Sequence, residues 1–303
     1  MKTLRTLSVL AIAATSLAAI PTAFLSTASA SGGSSYPAGD GPMGSGYYEE
    51  VNFPSSLDGT MLHADVLLPG APEDAPEGGW PMIISGGPYF SASKYGDPVL
   101  AIGPNPLATG PVERFADFIV GADIFAEGYG WAQVDTRGYG SSGNCNDYGG
   151  IGEQTDMATA VDYFGTQAYS SGKVGLWGKS YDAWTQVMAL AQHPEHLAAA
   201  VIQAPLIEGY RLAWDNGVHW DSGWYATTGL YALYDNEPVG SDADAQEHAQ
   251  SAESTARAGE CWPENLAMAS AGYDRTLEYW EERNLIPSAS TSQVPTFWTM
   301  GFQ

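Results

Sequence analysis

The sequence predicts an α/β protein whose sheet is mostly parallel. Short apolar strands alternate with helical segments between residues 81 and 203, which is typical of parallel strands joined by helices that cover both faces of the sheet. One strand, at 174–177, runs directly into Ser180 and then into a segment without glycine or proline up to residue 193. A strand, a turn and a helix in this order form the repeating unit of such a sheet.

The N-terminal segment predicts a secretory signal peptide at residues 1–30. Lys2 and Arg5 supply positive charge ahead of an apolar segment at 7–19, and small residues at 28–30 form a cleavage site. We therefore expect a secreted, extracellular protein, with an uncleaved membrane anchor as the alternative. No other stretch approaches the roughly 20 apolar residues needed to cross a bilayer, so no membrane contact is expected after cleavage.

The predicted elements follow in order along the chain. Residues 31–46 are rich in glycine, serine and proline and predict a flexible linker. Alternating residues on either side of Asp58 and Gly59 predict a hairpin that opens the core at 47–204, with its turn at 57–60 and its second strand at 61–68. The later core elements are predicted as strands at 81–85, 131–134, 174–177 and 198–203 and as helices at 111–126, 152–167 and 181–192.

The pattern changes after residue 204. Residues 205–284 are rich in tryptophan, tyrosine, alanine and acidic residues and show no strand alternation, which favours a largely helical insertion. Residues 285–303 return to the core, with a strand at 293–300. The domain organisation is thus a core interrupted by one helical segment.

The composition limits the partners and the chemistry. With 35 acidic and 11 Lys and Arg residues the net charge is −24, which repels nucleic acid and anionic membranes; solubility explains this charge better than a salty habitat or cationic substrates. Cys145 and Cys261 either form a disulfide in an oxidising compartment or remain two thiols. No metal-ligand spacing surrounds them, so we expect neither a metal nor a cofactor.

Ser180 is the strongest candidate for a nucleophile. A serine at the turn from a strand to a helix has an exposed Oγ, and the helix N-terminus behind it stabilises developing negative charge. A lone glycine-x-serine match is more often an ordinary turn. Here a strand and a helix flank the serine, which favours the catalytic interpretation.

Several motifs together resemble one family. They are Lys173-Val-Gly175, Gly178-Lys-Ser180-Tyr181-Asp182, the glycine-rich loop at 135–143, and the earlier segments at 58–60 and 87–90. From about residue 51 to the end, the chain resembles the Xaa-Pro dipeptidyl-peptidase and cocaine-esterase group of serine hydrolases. The resemblance implies an α/β-hydrolase fold with a helical cap after the sixth strand, where residues 205–284 lie.

The resemblance also implies catalytic roles. Ser180 corresponds to the acylated nucleophile, and the backbone N–H of Tyr181 and the phenol O–H of Tyr89 correspond to the oxyanion-hole donors. Arg137 is expected to organise its own loop or to pair with an acid. Asp182 departs from the general pattern, which has glycine there, although the family's small residue one position later is matched by Ala183.

The resemblance places the acid and the histidine of the triad beyond Gln303, so the chain is expected to be truncated at its C-terminus and inactive as it stands. His193 and His196 lie roughly 20 Å from Ser180 along the same helix, which excludes both. His63 is expected far from the strand tips. The remaining histidines, His219 and His248, fall in the insertion; His219 could overhang the site, but a packed or surface role is favoured for both.

The leading functional hypothesis is release of Xaa-Pro dipeptides from peptide N-termini. Such a substrate carries an ammonium group, for which Asp215 and Asp221 are candidate partners, while Trp214 and Trp220 can form walls for a proline ring. The same machinery can hydrolyse small esters or amides, and a non-catalytic binding protein on this scaffold is a third possibility. The oligomeric state does not follow from the sequence.

Overall fold

The computed structural model describes residues 29–30, 32–90, 111, 113–139, 142–214, 217–220 and 272–301. Its strands are β1 (Ser29–Ala30), β2 (Ser34–Ser35), β3 (Tyr47–Pro54), β4 (Met61–Leu68), β5 (Trp80–Gly87), β6 (Gly130–Asp135), β7 (Ser170–Lys179), β8 (Leu197–Gln203) and β9 (Thr296–Thr299). Its α-helices are α1 (Ala116–Gly121), α2 (Ile151–Gly165), α3 (Tyr181–Gln192), α4 (Gly209–Ala213), α5 (Glu278–Glu282) and α6 (Ile286–Ala289).

The strands form one mixed sheet. In the described part of the chain the order is β1-β3-β4-β6-β5-β7-β8-β9, and β2 also pairs with β3. Strands β3 and β4, and β4 and β6, pair antiparallel. Strands β6, β5, β7, β8 and β9 run parallel to one another. The predicted α/β fold with a mostly parallel sheet is confirmed.

The hairpin between β3 and β4 forms as predicted because its turn has suitable residues. The Asp58 carboxylate accepts the Thr60 N–H at 3.0 Å, and Gly59 has a φ of 77°, in the left-handed region that glycine tolerates best. β4 then covers residues 61–68, the range that the sequence indicated. Its side chains alternate between the two faces of the sheet.

Each face of the sheet packs against helices. Val66 of β4 belongs to a core cluster with Val161 of α2 and Val187 of α3. The neighbouring Leu67 belongs to a second cluster with Ile119 of α1. The sheet therefore lies between two layers, and the carboxyl ends of its parallel strands form one edge, where binding groups gather in such folds.

Two segments differ from their predictions in the kind of structure they form. The helix predicted at 111–126 is a 3₁₀ turn at Glu113–Phe115 followed by the short α1, because Asp123 adopts a φ of 50°, which cannot continue a right-handed helix. The linker predicted at 31–46 contains β2, held by pairing with β3, and Tyr36 donates its N–H to the Gly46 carbonyl at 2.9 Å.

Parts of the other predictions fall outside the described residues. Residues 1–28 of the predicted signal peptide do so, while Ser29–Ala30 form β1. Of the predicted insertion, residues 215–216 and 221–271 are not described, and the remainder contains α4 and α5. No helix among the described residues is long and apolar enough to cross a membrane.

Cys145 is disulfide-bonded. The chain has only one other cysteine, Cys261, which lies outside the described residues. Of the two alternatives left open by the sequence, the structure therefore supports the bridge for Cys145.

Candidate active site

Ser180 lies at a sharp turn between β7 and α3. Its backbone adopts φ 61° and ψ −119°, a conformation that costs a non-glycine residue of order 1–3 kcal/mol. Its side chain is exposed, and its N–H donates to the Gln203 carbonyl of β8 at 2.9 Å. Within the described part of the chain no hydrogen bond engages the Ser180 Oγ. The strained turn therefore presents an exposed hydroxyl at the carboxyl edge of the sheet.

The turn can be this tight because the residues around it are small. A Cβ on Gly178 would lie 2.5 Å from the Asp182 carbonyl oxygen, so no larger residue fits there without moving the start of α3. Ala183 is fully buried on the other side of the turn. Thr185 then ties α3 to the end of β5, since its Oγ1 donates to the Gly86 carbonyl at 2.8 Å.

Tyr181 is the first residue of α3. Its N–H belongs to the first turn of a helix, whose N–H groups have no intrahelical partner and point toward the N-terminal end. The helix dipole adds partial positive charge at the same place. The position suits the oxyanion-hole role that the sequence predicted for this N–H.

Tyr89 follows the end of β5 and lies close to Tyr181. The two rings pack edge to face with their centroids 6.4 Å apart, so the structure makes the two residues predicted to supply oxyanion donors neighbours. The role of Tyr89 as a donor remains a prediction.

The side chain of Tyr181 is anchored by a buried carboxylate that the sequence did not indicate. Its hydroxyl lies 2.9 Å from both carboxylate oxygens of Glu153, which also accepts the Gly149 N–H at 2.6 Å. Burial and then the charge of Asp147 raise the pKa of Glu153 to about 7. Because 28 residues separate Glu153 from Tyr181, no local pattern could have revealed this pair.

Arg137 has the structural role that the sequence favoured. Its guanidinium makes a two-point contact with Asp156, at 2.6 and 2.8 Å, and a third contact with Asp58 at 3.2 Å. Burial raises the pKa of Asp156, and the hydrogen bond and charge of Arg137 oppose that rise. Arg137 therefore joins the hairpin turn, the loop after β6 and α2.

Two of the described histidines have structural partners. His193 contacts the hydroxyls of Ser288 and Thr291 through Nε2, at 3.3 and 3.2 Å. His196 contacts Asp162 through Nδ1 at 3.0 Å. In the part of the chain that is described, no histidine hydrogen-bonds to Ser180, so the general base is not identified there.

His63 corrects a prediction, because it does lie at the carboxyl edge of the parallel strands. β4 runs antiparallel to β6, and the Nδ1 atom of His63 is 2.9 Å from Asp135, the last residue of β6. This His–Asp pair still cannot serve Ser180. β6 and β5 separate β4 from β7, which places the two strands about 14 Å apart at about 4.8 Å per strand.

His63 also belongs to a group of side chains of the kinds that bind metals. Among the described residues, one group of ligand-type side chains has its atoms within 4.8 Å of one another: Glu50, His63 and Asp65. Burial alone would lower the pKa of His63, but the hydrogen bond and charge of Asp135, with Asp65 and Glu50, raise it to about 9. Asp135 already engages the Nδ1 atom of His63 at 2.9 Å, so the structure explains this histidine by an ion pair.

The predicted substrate-binding residues are only partly described. Trp214 is half-buried and packs against His219 with ring centroids 4.4 Å apart, whereas Trp220 is 52% exposed. Asp215 and Asp221 lie outside the described residues, as does His248. Their proposed contacts with substrate therefore remain predictions.

The comparison with protein families covers most of the sequence. A family model described as X-Pro dipeptidyl-peptidase (S15 family) matches residues 58–303. The chain belongs to this family. No curated protein matches the sequence.

Solved structures with the same fold have low sequence identity to this S15 family member. An α-amino acid ester hydrolase labelled with selenomethionine is 22% identical with a TM-score of 0.52, over 83% of this chain and 42% of its own. A CocE/NonD family hydrolase from Staphylococcus aureus has 21% identity, a TM-score of 0.52 and coverages of 83% and 41%. An aminopeptidase from the marine sediment archaeon Thaumarchaeota archaeon is 17% identical with a TM-score of 0.53, over 83% of this chain and 42% of its own.

These likenesses show an α/β-hydrolase fold. This S15 family member spans about two fifths of the length of the solved structures that it matches. The activity of the whole protein is therefore a matter for proposal.

Proposed function

We propose that the chain carries the nucleophile of a secreted serine hydrolase that releases Xaa-Pro dipeptides from peptide N-termini. The observation that carries this proposal is the exposed Ser180 in its strained turn at the start of α3. Strain of this kind persists only where the surrounding structure holds it, and it is concentrated at functional sites. The family match at residues 58–303 supports the same chemistry.

In the proposed reaction the Ser180 Oγ attacks the carbonyl carbon of the proline residue, and its proton passes to a general base. The carbonyl oxygen becomes an oxyanion that the Tyr181 N–H and the Tyr89 O–H stabilise. The intermediate then expels the amine of the remaining peptide, which takes up the proton, and leaves the dipeptide as an ester on Ser180. Water hydrolyses that ester and restores the serine.

The substrate of this reaction would be a cationic peptide N-terminus. Its ammonium group needs a carboxylate, for which Asp215 and Asp221 remain our candidates, and Trp214 and Trp220 would border the proline ring.

Hydrolysis of small esters is the second candidate function. It is favoured by the likeness to an α-amino acid ester hydrolase, whose name describes an ester of a molecule that also carries an amino group. Both substrates would acylate Ser180 through the same steps, and the machinery around Ser180 does not distinguish them.

The two functions separate in one experiment on the full-length protein. Xaa-Pro anilides and aryl esters of matched acyl groups are compared, with the Ser180→Ala variant as control. We expect turnover of the anilides that disappears in the variant. Turnover of esters alone would replace the peptidase proposal by the esterase, and no Ser180-dependent turnover of either would favour a non-catalytic binding protein.

We also propose that the protein is secreted. The charged, apolar and small-residue segments of 1–30 support this, and the disulfide bond of Cys145 suits an oxidising compartment. N-terminal sequencing of the protein exported by its host should begin at residue 31. A sequence that retains residues 1–30 would contradict cleavage at this site.

A further inference from the structure

Asp182 is a buried carboxylate only two residues from Ser180. Its side chain is 0% exposed, and its Oδ2 accepts the Nε–H of Arg114 at 2.6 Å. Its Oδ1 has no hydrogen-bond partner among the described residues. A buried carboxylate is costly unless it is paired, and Arg114 is the partner of Asp182 here.

The other carboxylate oxygen lies against the backbone that leads to Tyr89. A Cβ on Gly87 would be 1.8 Å from the Asp182 Oδ1, so any side chain at position 87 would displace the carboxylate. Gly87 is the last residue of β5, two positions before Tyr89. One oxygen of Asp182 therefore lies against the backbone at Gly87, two residues before Tyr89, and the other oxygen pairs with Arg114.

Arg114 completes a connection from Asp182 to Tyr89. Its guanidinium carbon lies 3.9 Å from the centroid of the Tyr89 ring, a cation–π distance. The Arg114 side chain is 21% exposed, so the contact is largely shielded from water. Three segments thus meet at this point: the chain after β5, the turn before α1 and the first turn of α3.

Tyr89 has Arg114 over its ring face and the Tyr181 ring packed against it in a T-shaped contact. A cation over a phenol ring draws electron density from the ring, which makes the O–H a stronger hydrogen-bond donor. A phenol that is already fixed also loses less freedom when it stabilises an oxyanion. Both effects would act in the transition state more than in the bound substrate.

We propose that Asp182 and Arg114 are positioning residues for the oxyanion hole: Asp182 orients the Arg114 guanidinium, and Arg114 holds and polarises the Tyr89 phenol. This inference rests on the proposed function, because it gives Tyr89 the role of an oxyanion donor. It also explains why this chain has aspartate where the general pattern has glycine.

The decisive test is a double-mutant cycle in the full-length protein, with ester or anilide hydrolysis as the readout. Tyr89→Phe should lower kcat about 100-fold, and Arg114→Gln about tenfold with KM changed less than about twofold. In the Tyr89→Phe background, Arg114→Gln should have little further effect, because the group on which it acts is absent.

A merely structural ion pair predicts a different result, since its loss would lower kcat by the same factor in both backgrounds. That additive outcome would overturn the proposal. Arg114→Lys retains the positive charge but not the planar guanidinium over the Tyr89 ring, and it should lower kcat about threefold. This variant keeps the test available if Arg114→Gln folds poorly. The decrease in kcat caused by Asp182→Asn should be closer to that of Arg114→Lys than to that of Arg114→Gln, because the amide oxygen still accepts the Arg114 Nε–H.

A second measurement does not depend on catalysis. 3-Fluorotyrosine at position 89 reports its surroundings by ¹⁹F NMR, and Arg114→Gln should shift its resonance. Arg275→Gln is the matched control, because Arg275 also pairs with a buried carboxylate, Glu208, and lies 5.7 Å from the Tyr210 ring; it should leave the position-89 resonance and kcat unchanged.

The two measurements separate the possible failures. A shifted resonance with an unchanged kcat in Arg114→Gln would overturn the positioning role and leave the proposed function standing. An unshifted resonance would show that the stack is absent and overturn the inference directly. Turnover retained in Ser180→Ala would instead remove the proposed function on which the inference rests.

Discussion

Two polar regions lie at the carboxyl edge of the sheet, and their serines differ in one decisive respect. Near His63, the buried Ser142 Oγ donates to the Asp135 carbonyl at 2.7 Å and accepts the His63 N–H at 2.9 Å. Near α3, the Ser180 Oγ is exposed and has no such partner among the described residues. A hydroxyl whose bonds are all made to protein stabilises the fold, whereas an exposed one on strained backbone is available for chemistry.

The titratable groups of the two regions also differ in what they hold in place. His63 is paired with Asp135 and has a raised pKa of about 9, so it stays protonated at neutral pH. The two carboxylates near Ser180, Glu153 and Asp182, both have pKa values raised by burial to about 7, and each holds a side chain next to the turn. The ion pair near His63 stabilises the fold, whereas the carboxylates near Ser180 orient side chains around the candidate nucleophile.

The largest expected difference between the regions is in the effect of serine to alanine changes. Ser180→Ala should lower kcat/KM by more than about 1,000-fold in the full-length protein and leave its free energy of unfolding nearly unchanged. Ser142→Ala should leave kcat/KM unchanged but cost about 1–3 kcal/mol of stability, because the buried His63 N–H loses its acceptor. Kinetics and urea unfolding of both variants check this, and an exchange of the two outcomes would reverse our assignment.

The two regions should also respond differently to loss of a phenol hydroxyl. Tyr89→Phe is expected to lower kcat about 100-fold, since an oxyanion donor is lost. Tyr48→Phe removes a hydroxyl bonded to Glu50 and Asp65 near His63 and should affect stability alone. Equal kcat values for Tyr89→Phe and the unmodified protein would exclude Tyr89 from the oxyanion hole.

The pH dependence of stability tests the ion pair of His63. Because the folded pKa of about 9 lies above the ordinary value of 6.5, the stabilisation is complete below pH 6.5 and is lost as the pH rises through 9. The loss should be on the order of 3 kcal/mol. Urea unfolding at pH 6.5 and 9.5 should show this decrease, and His63→Gln should show much less of it. An equal decrease in the free energy of unfolding of both proteins between these pH values would contradict the ion pair between His63 and Asp135.

The smallest predicted effect tests the strain at Ser180. Glycine accepts a φ of 61° without the clash that a Cβ causes, so Ser180→Gly should be more stable than Ser180→Ala by about 1 kcal/mol. The comparison uses two inactive variants, so loss of function does not complicate it. Equal free energies of unfolding would mean that the turn is not strained in solution.

The sequence predicted the elements with local signatures well. β4 was predicted residue for residue because its apolar run is bounded by the Asp58-Gly59 turn, and the turn at Ser180 was evident from a strand, a glycine and a helix in succession. The helix predicted at 111–126 was too long, because apolar spacing does not reveal the left-handed backbone at Asp123.

The contacts that support the candidate site could not be predicted in this way. Arg114 and Asp182 are 68 residues apart, and His63 and Asp135 are 72 apart, so each pair depends on which strands and turns become neighbours. The prediction for His63 failed for this reason: the sequence showed an early strand but not its antiparallel register beside β6. Asp182 stood out in the sequence only as a departure from a pattern.

The measurement that tests the central claim most directly is covalent labelling of the full-length protein with a fluorophosphonate, read by intact mass and peptide mapping. We predict one adduct per chain, located on Ser180 and absent from the Ser180→Ala variant. Labelling that persists in that variant, an adduct on another residue, or no adduct on the folded protein would contradict the assignment of Ser180 as the nucleophile.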